Sequence, residues 1–103
     1  MEHRGGENIL EIKETTIDVD NVFLSHFLRL SIRFDITIYR SNHDHLFNQL
    51  NSFSSIPSEI IYKWLNDNFL EQTKDYEIWL QSGAFTIMFL DFSKALLFKL
   101  TFG

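Results

Sequence analysis

Cysteine is absent from the 103 residues, which removes disulfides, thiolate metal ligands, cysteine nucleophiles and redox relays together. A reducing compartment suits such a chain, and a cytoplasmic location is expected. Glycine is scarce, at Gly5, Gly6, Gly83 and Gly103, and none stands in a glycine-rich loop leading into a helix, so no phosphate cradle and no cofactor are expected. Basic residues are outnumbered, nine Lys and Arg against fourteen Asp and Glu, for a net charge of −5. Proteins that read a phosphate backbone display a basic face, so direct nucleic-acid binding is not expected. No apolar run approaches the ~18 residues of a membrane span, and no charged-then-apolar leader opens the chain. A membrane partner is not expected either.

Apolar material is plentiful. Hydrophobic residues make up 45% of the chain and aromatics 16%, with eleven Phe, enough for one core in one domain. Residues 1–7 carry Gly5 and Gly6 and no pattern, and read as a flexible N-terminus; residues 8–103 read as a single α+β domain. Acidic residues crowd the first twenty positions and recur at Asp67, Glu71, Asp75 and Glu77, while Arg29, Arg33 and Arg40 form the only basic stretch.

Periodicity supplies the element order. "ILEIKETTIDV" is rich in β-branched residues, but Leu10 and Ile12 have opposite parity from Ile17 and Val19, which suggests a bulge or bend near Thr15 and Thr16. Asp20-Asn21 reads as a hairpin turn. "LRLSIRFDITIYR" alternates without a break, with Leu28, Leu30, Ile32, Phe34, Ile36 and Ile38 on an inner face and Arg29, Ser31, Arg33, Asp35, Thr37 and Tyr39 on a wet one. Residues 22–27 fit a strand or a helical turn, with strand preferred. Leu46, Phe47, Leu50 and Phe53 suit a short helix, and Ile60, Ile61, Trp64, Leu65 and Phe69 a longer one, with Pro57 near its start. Three strands then follow as a meander, "YEIWLQ", "AFTIMFLD" and "ALLFKLTF", with turns at Ser82-Gly83 and "FSK". The whole reads β-β-α-α-β-β-β, an antiparallel sheet of about five strands with two helices on one face. In the stretch "GAFTIMFLDF" both faces of the strand are apolar, so something must cover each side.

The chemistry-bearing stretches are few. "SNHDHLF" places His43, Asp44 and His45 together, but a zinc site wants three or four ligands; a helix start capped by Asn42 or Asp44 is the better reading, and no metal is expected. No Gly-x-Ser-x-Gly elbow is present, and Ser25-His26, adjacent on a strand, would point to opposite faces. Glu71, Asp75 and Glu77 fall in the most hydrophilic segment, a solvated surface. Asp35 is expected to neutralise neighbouring Arg side chains on the outer face of its strand.

By elimination the chain reads as a small, acidic, non-enzymatic protein-interaction module. The expected activity is that of an inhibitor or regulator occupying the surface of a larger, basic partner, such as a nucleic-acid-processing or defence enzyme of the kind countered by mobile-element inhibitors; that comparison rests on size and charge alone. Trp79, on a strand face shared with Glu77 and Gln81, is the expected anchor, with Glu71, Asp75 and Glu77 steering the partner. One alternative is a small enzyme or ligand-binding domain with its pocket between helices and sheet. Another is an obligate homodimer joined through Thr86, Met88 and Leu90.

Overall fold

A computed structural model describes residues 10–16, 32–50 and 54–103. Its elements are β1 (Lys13–Thr16), β2 (Ile32–Tyr39), a 3-10 turn (Asp44–Leu46), α1 (Glu59–Asp67), β3 (Tyr76–Gln81), β4 (Ala84–Phe89) and α2 (Phe92–Phe102). The fold is α+β: an antiparallel four-stranded sheet in the order β1-β2-β4-β3, with two helices, of which α2 packs against the sheet.

The β3–β4 hairpin forms where the turn chemistry places it. Gly83 takes φ of +70°, a left-handed conformation that a side chain resists, and its carbonyl accepts from Arg40 N–H at 2.9 Å. β4 then inserts between β3 and β2, and all six of its residues are buried. Phe85, Ile87 and Phe89 project into the core, level with Ile38, Ile36 and Phe34 of β2 and with Leu80, Ile78 and Tyr76 of β3. The alternation expected for β2 holds from Ile36 to Tyr39, with Ile36 and Ile38 fully buried, whereas Ile32, expected on the inner face, is 43% exposed.

Above this face the core is aromatic. Trp64 of α1 meets Phe98 of α2 edge to face at 5.2 Å, and Phe98 in turn touches Phe89 at 5.7 Å and Phe102 at 4.7 Å. Phe47 packs on Phe85 at 4.8 Å. Such pairs add about 0.5–1.5 kcal/mol each beyond the area they bury. α1 starts where Ser58 Oγ accepts from Ile60 N–H, one residue beyond Pro57, and buries Ile61 and Leu65.

Three expectations are corrected. The third strand of the meander, "ALLFKLTF", is the body of α2, and "FSK" is its first turn rather than a β-turn. Asp91 caps the helix: its Oδ1 accepts from Ser93 N–H at 2.8 Å, and at the other end Gly103 N–H donates to Lys99 O at 2.7 Å. The segment is apolar on all sides, so alternation is satisfied by default, while its Leu, Ala and Lys content favours a helix. The sheet accordingly has four strands among the described residues. The short helix expected from Leu46 is only a 3-10 turn, after which Phe47 bridges back to Pro57; Leu50 is exposed and Phe53 lies outside the described residues. β1 pairs with β2 in unbroken register from Lys13↔Asp35 to Thr16↔Ile32, and Ile17 and Val19, beyond the expected bulge or bend, lie outside the described residues. Phe69, expected on the core face of α1, lies past its end with φ of +60° and is 90% exposed. The Asp20-Asn21 turn and residues 22–27 lie outside the described residues.

The assignment of α2 carries two predictions. In a helix Phe98 is core and Leu100 is not, whereas in a strand both would share a face; Phe98→Ala should therefore cost roughly 3–5 kcal/mol in urea unfolding and Leu100→Ala no more than about 0.5 kcal/mol. Asp91→Ala should cost about 1 kcal/mol at neutral pH. The Ser93 hydroxyl and N–H, and then Lys94, hold the Asp91 carboxyl below its ordinary 3.8, so its contribution is present above that value and lost as pH falls through the folded-state pKa. The gap between wild type and Asp91→Ala should close over that acidic window, and a gap that stays constant would contradict the cap.

Candidate functional site

Two surfaces outside the core carry chemistry. The first is the face of the sheet turned away from the helices. Strand register sets Asp35, Met88 and Glu77 in one row across β2, β4 and β3, then Thr37, Thr86 and Trp79, then Tyr39, Ala84 and Gln81. β1 extends the first row by placing Lys13 opposite Asp35. Along β4 the middle of this face carries Ala84, Thr86 and Met88, flanked by Tyr39 on β2 and Trp79 on β3. Between them lies a hollow of about 520 Å³, within the size range of small-ligand pockets.

Hydrogen bonds stiffen the floor. Thr37 Oγ1 and Thr86 Oγ1 lie 2.8 Å apart, and Gln81 Nε2 donates to Thr86 Oγ1 at 3.0 Å. Leu10 and Glu11 border the hollow on the β1 side, and Asn42 and His43 line it where the chain leaves β2. The space between helices and sheet, where a pocket was the alternative expectation, is filled by the aromatic core.

Asp35 is the electrostatic centre of the hollow. Arg33 Nε donates to its Oδ2 at 3.1 Å, and the Asp35 side chain is 13% exposed. This is the charge pairing expected along β2. Oδ1 and the nearby Thr15 hydroxyl are both buried, and the hydroxyl favours the ionised carboxyl. Burial raises the Asp35 pKa above 3.8, against the opposing pull of Arg33, Thr15 and Lys13. The outer face of β2 is thus half-buried rather than fully wet, because β1 and the hollow's walls shield it.

The expected site residues divide. Glu77 and Trp79 do share the open face of β3, with Trp79 41% exposed at the rim of the hollow. Glu71 and Asp75 stand in the preceding loop, where Asp75 Oδ2 accepts from Glu71 N–H at 2.9 Å and so organises the turn, and Glu77 accepts from Gln72 Nε2. Of the residues expected to join two copies, Thr86 and Met88 form the floor of the hollow, Met88 being 2% exposed, and Leu90 lies just past β4. His43 is buried and His45 exposed, their rings 6.2 Å apart. Asp44 neither caps a helix nor joins the two imidazoles, but pairs with Arg40. Among the described residues no three His, Asp or Glu side chains are grouped to hold a metal ion, and no helix is long and apolar enough to cross a membrane.

The second surface is the outer side of α2. Phe92, Leu96 and Leu100 recur every fourth residue and are exposed, Leu100 to 71%, with Leu97 beside them. Reading "ALLFKLTF" as a strand hid this stripe. The hollow was also missed, although the pattern of short Thr37, Ala84 and Thr86 between large neighbours was a signal once strand pairing was known. No family model, curated protein or solved structure matches the chain.

Asp35 offers a test of this geometry. Its raised folded-state pKa means that the folded chain holds the proton more tightly than the unfolded one. Stability contributed by this group should therefore fall as pH rises from about 3.8 through the folded value. Asp35→Asn should remove that slope, so the variant gains on wild type across the window in urea unfolding; a variant that instead loses ground as pH rises would show the carboxylate to be net stabilised.

Proposed function

We propose that this chain is a small non-enzymatic protein-interaction module, an inhibitor or regulator that occupies the surface of a larger partner. The observation that carries this reading is the outer stripe of α2. A helix apolar on every side normally sits inside a core, yet Leu96, Leu97 and Leu100 face outward. Contiguous exposed apolar surface of this kind suits burial against a second protein, as when an apolar helix face enters a groove. Glu71, Asp75 and Glu77, with Trp79 beside them, give the β3 side an acidic character that would draw a basic partner and raise its association rate. The mobile-element inhibitor comparison adds size and charge to this reading and nothing more specific.

The stripe separates binding from folding, because exposed substitutions there should move stability by only about 0.5 kcal/mol. Leu96→Lys with Leu100→Lys should weaken a partner recovered by pull-down by roughly 2 kcal/mol or more through faster dissociation. Charge reversal at Glu71, Asp75 and Glu77 should mainly slow association and flatten its salt dependence. Sedimentation supplies the second arm: a concentration-dependent dimer that the Lys pair abolishes would assign the stripe to a second copy of this chain. Unchanged binding by the Lys pair, with the chain monomeric throughout, would defeat the reading.

A further inference from the structure

The stripe on α2 carries charge as well as leucines, and that charge says what can cover it. At 3.6 residues per turn, Leu96, Leu97 and Leu100 form the centre of the outer side, while Lys94 and Lys99 fall on opposite edges, each roughly 110° from that centre. Both lysines are half-buried, as when an aliphatic stem lies along a helix and its ammonium reaches water. Neither takes part in the ion pairs among the described residues, which join Arg33 to Asp35, Arg40 to Asp44 and Lys63 to Asp67. α2 itself holds no carboxylate, and Oδ1 of the preceding Asp91 is taken up by the Ser93 N–H and hydroxyl. In a chain of net charge −5, this apolar stripe has a basic border on each side.

Helix stability accounts for half of that border. Lys99 stands in the last turn, where a cation suits the helix dipole, but Lys94 stands in the first, where a cation opposes it. The occupant is narrowed further by charge. A second α2 laid on the first would add its own Lys94 and Lys99 to the same interface and be repelled. An anionic lipid surface would attract the two lysines but repel the rest of an acidic chain. A helix bordered by carboxylates meets neither objection. From Lys94 to Lys99 the axis rises roughly 7.5 Å, about one and a half turns, so a short helix is enough to cover the leucines and reach both lysines.

Given the interaction role proposed above, on which this rests, we infer that the outer side of α2 docks an acidic amphipathic helix of the partner, its apolar side chains set on Leu96, Leu97 and Leu100 and a carboxylate on each flank meeting Lys94 and Lys99. The carboxylates of the β3 side then act on the body of the partner at long range, whereas the lysines of α2 select the segment that docks.

The probe is a short synthetic helical peptide with leucines at every third and fourth position and glutamates on both flanks, beside a counterpart in which lysines replace the glutamates. In two-dimensional NMR titrations at low ionic strength, the glutamate peptide should shift signals of Leu96, Leu97, Lys99 and Leu100 saturably. It should bind at least about tenfold more tightly than the lysine peptide, the equivalent of about 1.4 kcal/mol, and the preference should shrink at high salt. Lys94→Gln with Lys99→Gln should abolish the preference, and Leu96→Gln with Leu100→Gln should abolish saturable binding. Equal or tighter binding of the lysine peptide at the same signals would overturn the acidic assignment while leaving the stripe a docking surface. Absence of a saturable shift with either peptide, or response of these signals to phosphatidylserine vesicles but not to the glutamate peptide, would also overturn it; the interaction role itself falls only with unchanged binding of the recovered partner by Leu96→Lys with Leu100→Lys. If the lysine-free variant fails to fold, the ranking of the two peptides on the wild-type chain decides alone.

Discussion

Every residue of β4 is buried, and a strand in that position makes two demands on the rest of the chain. Phe85, Ile87 and Phe89 need a helical layer, which α2 provides through Phe98 and α1 extends through Trp64. Ala84, Thr86 and Met88 need cover on the opposite side. Part of that cover comes from the strands themselves, Tyr39 and Trp79 standing on either side of the central residues. The core and the hollow are therefore two consequences of one central strand.

α2 resolves the first demand with a surplus. Ala95, Phe98 and Phe102 seat it on the sheet and on Trp64, with Phe92 edge-on to Phe34, yet the opposite side carries Leu96, Leu97 and Leu100. Helix formation here rests on Asp91 at one end and the Lys99–Gly103 hydrogen bond at the other. Packing of one side then decides which leucines remain outside. A helix that needed only to fold would have no use for that outer stripe, which is why it carries the functional reading.

Charge is divided between the surfaces in a comparable way. In the loop before β3 the carboxylates are solvated, and Asp75 spends its side chain on the turn. Within the hollow the same residue type behaves differently, because Asp35 sits between β1 and the Trp79 wall with Arg33 as its counter-charge. Net charge describes the first surface and says nothing of the second, whose four charged groups cancel.

How much of this was legible beforehand differs by element. The alternation of β2, the Ser82-Gly83 hairpin, the α1 face and the Arg33–Asp35 pairing all follow from local periods and turn chemistry, which the sequence by itself determines. The identity of α2 did not follow, because a segment apolar on every side satisfies strand and helix periods alike and only the Asp91 cap distinguishes them. Glu77 and Trp79 were placed on one face by parity alone, but their relation to Glu71 and Asp75 depended on the loop. What only the tertiary structure decided is the order β1-β2-β4-β3. That crossover brings Thr37, Thr86 and Trp79 into one row and sets Lys13 beside Asp35, although these residues lie far apart in the chain. Strand pairing, unlike periodicity, is a long-range choice, made by whichever arrangement buries both faces of β4.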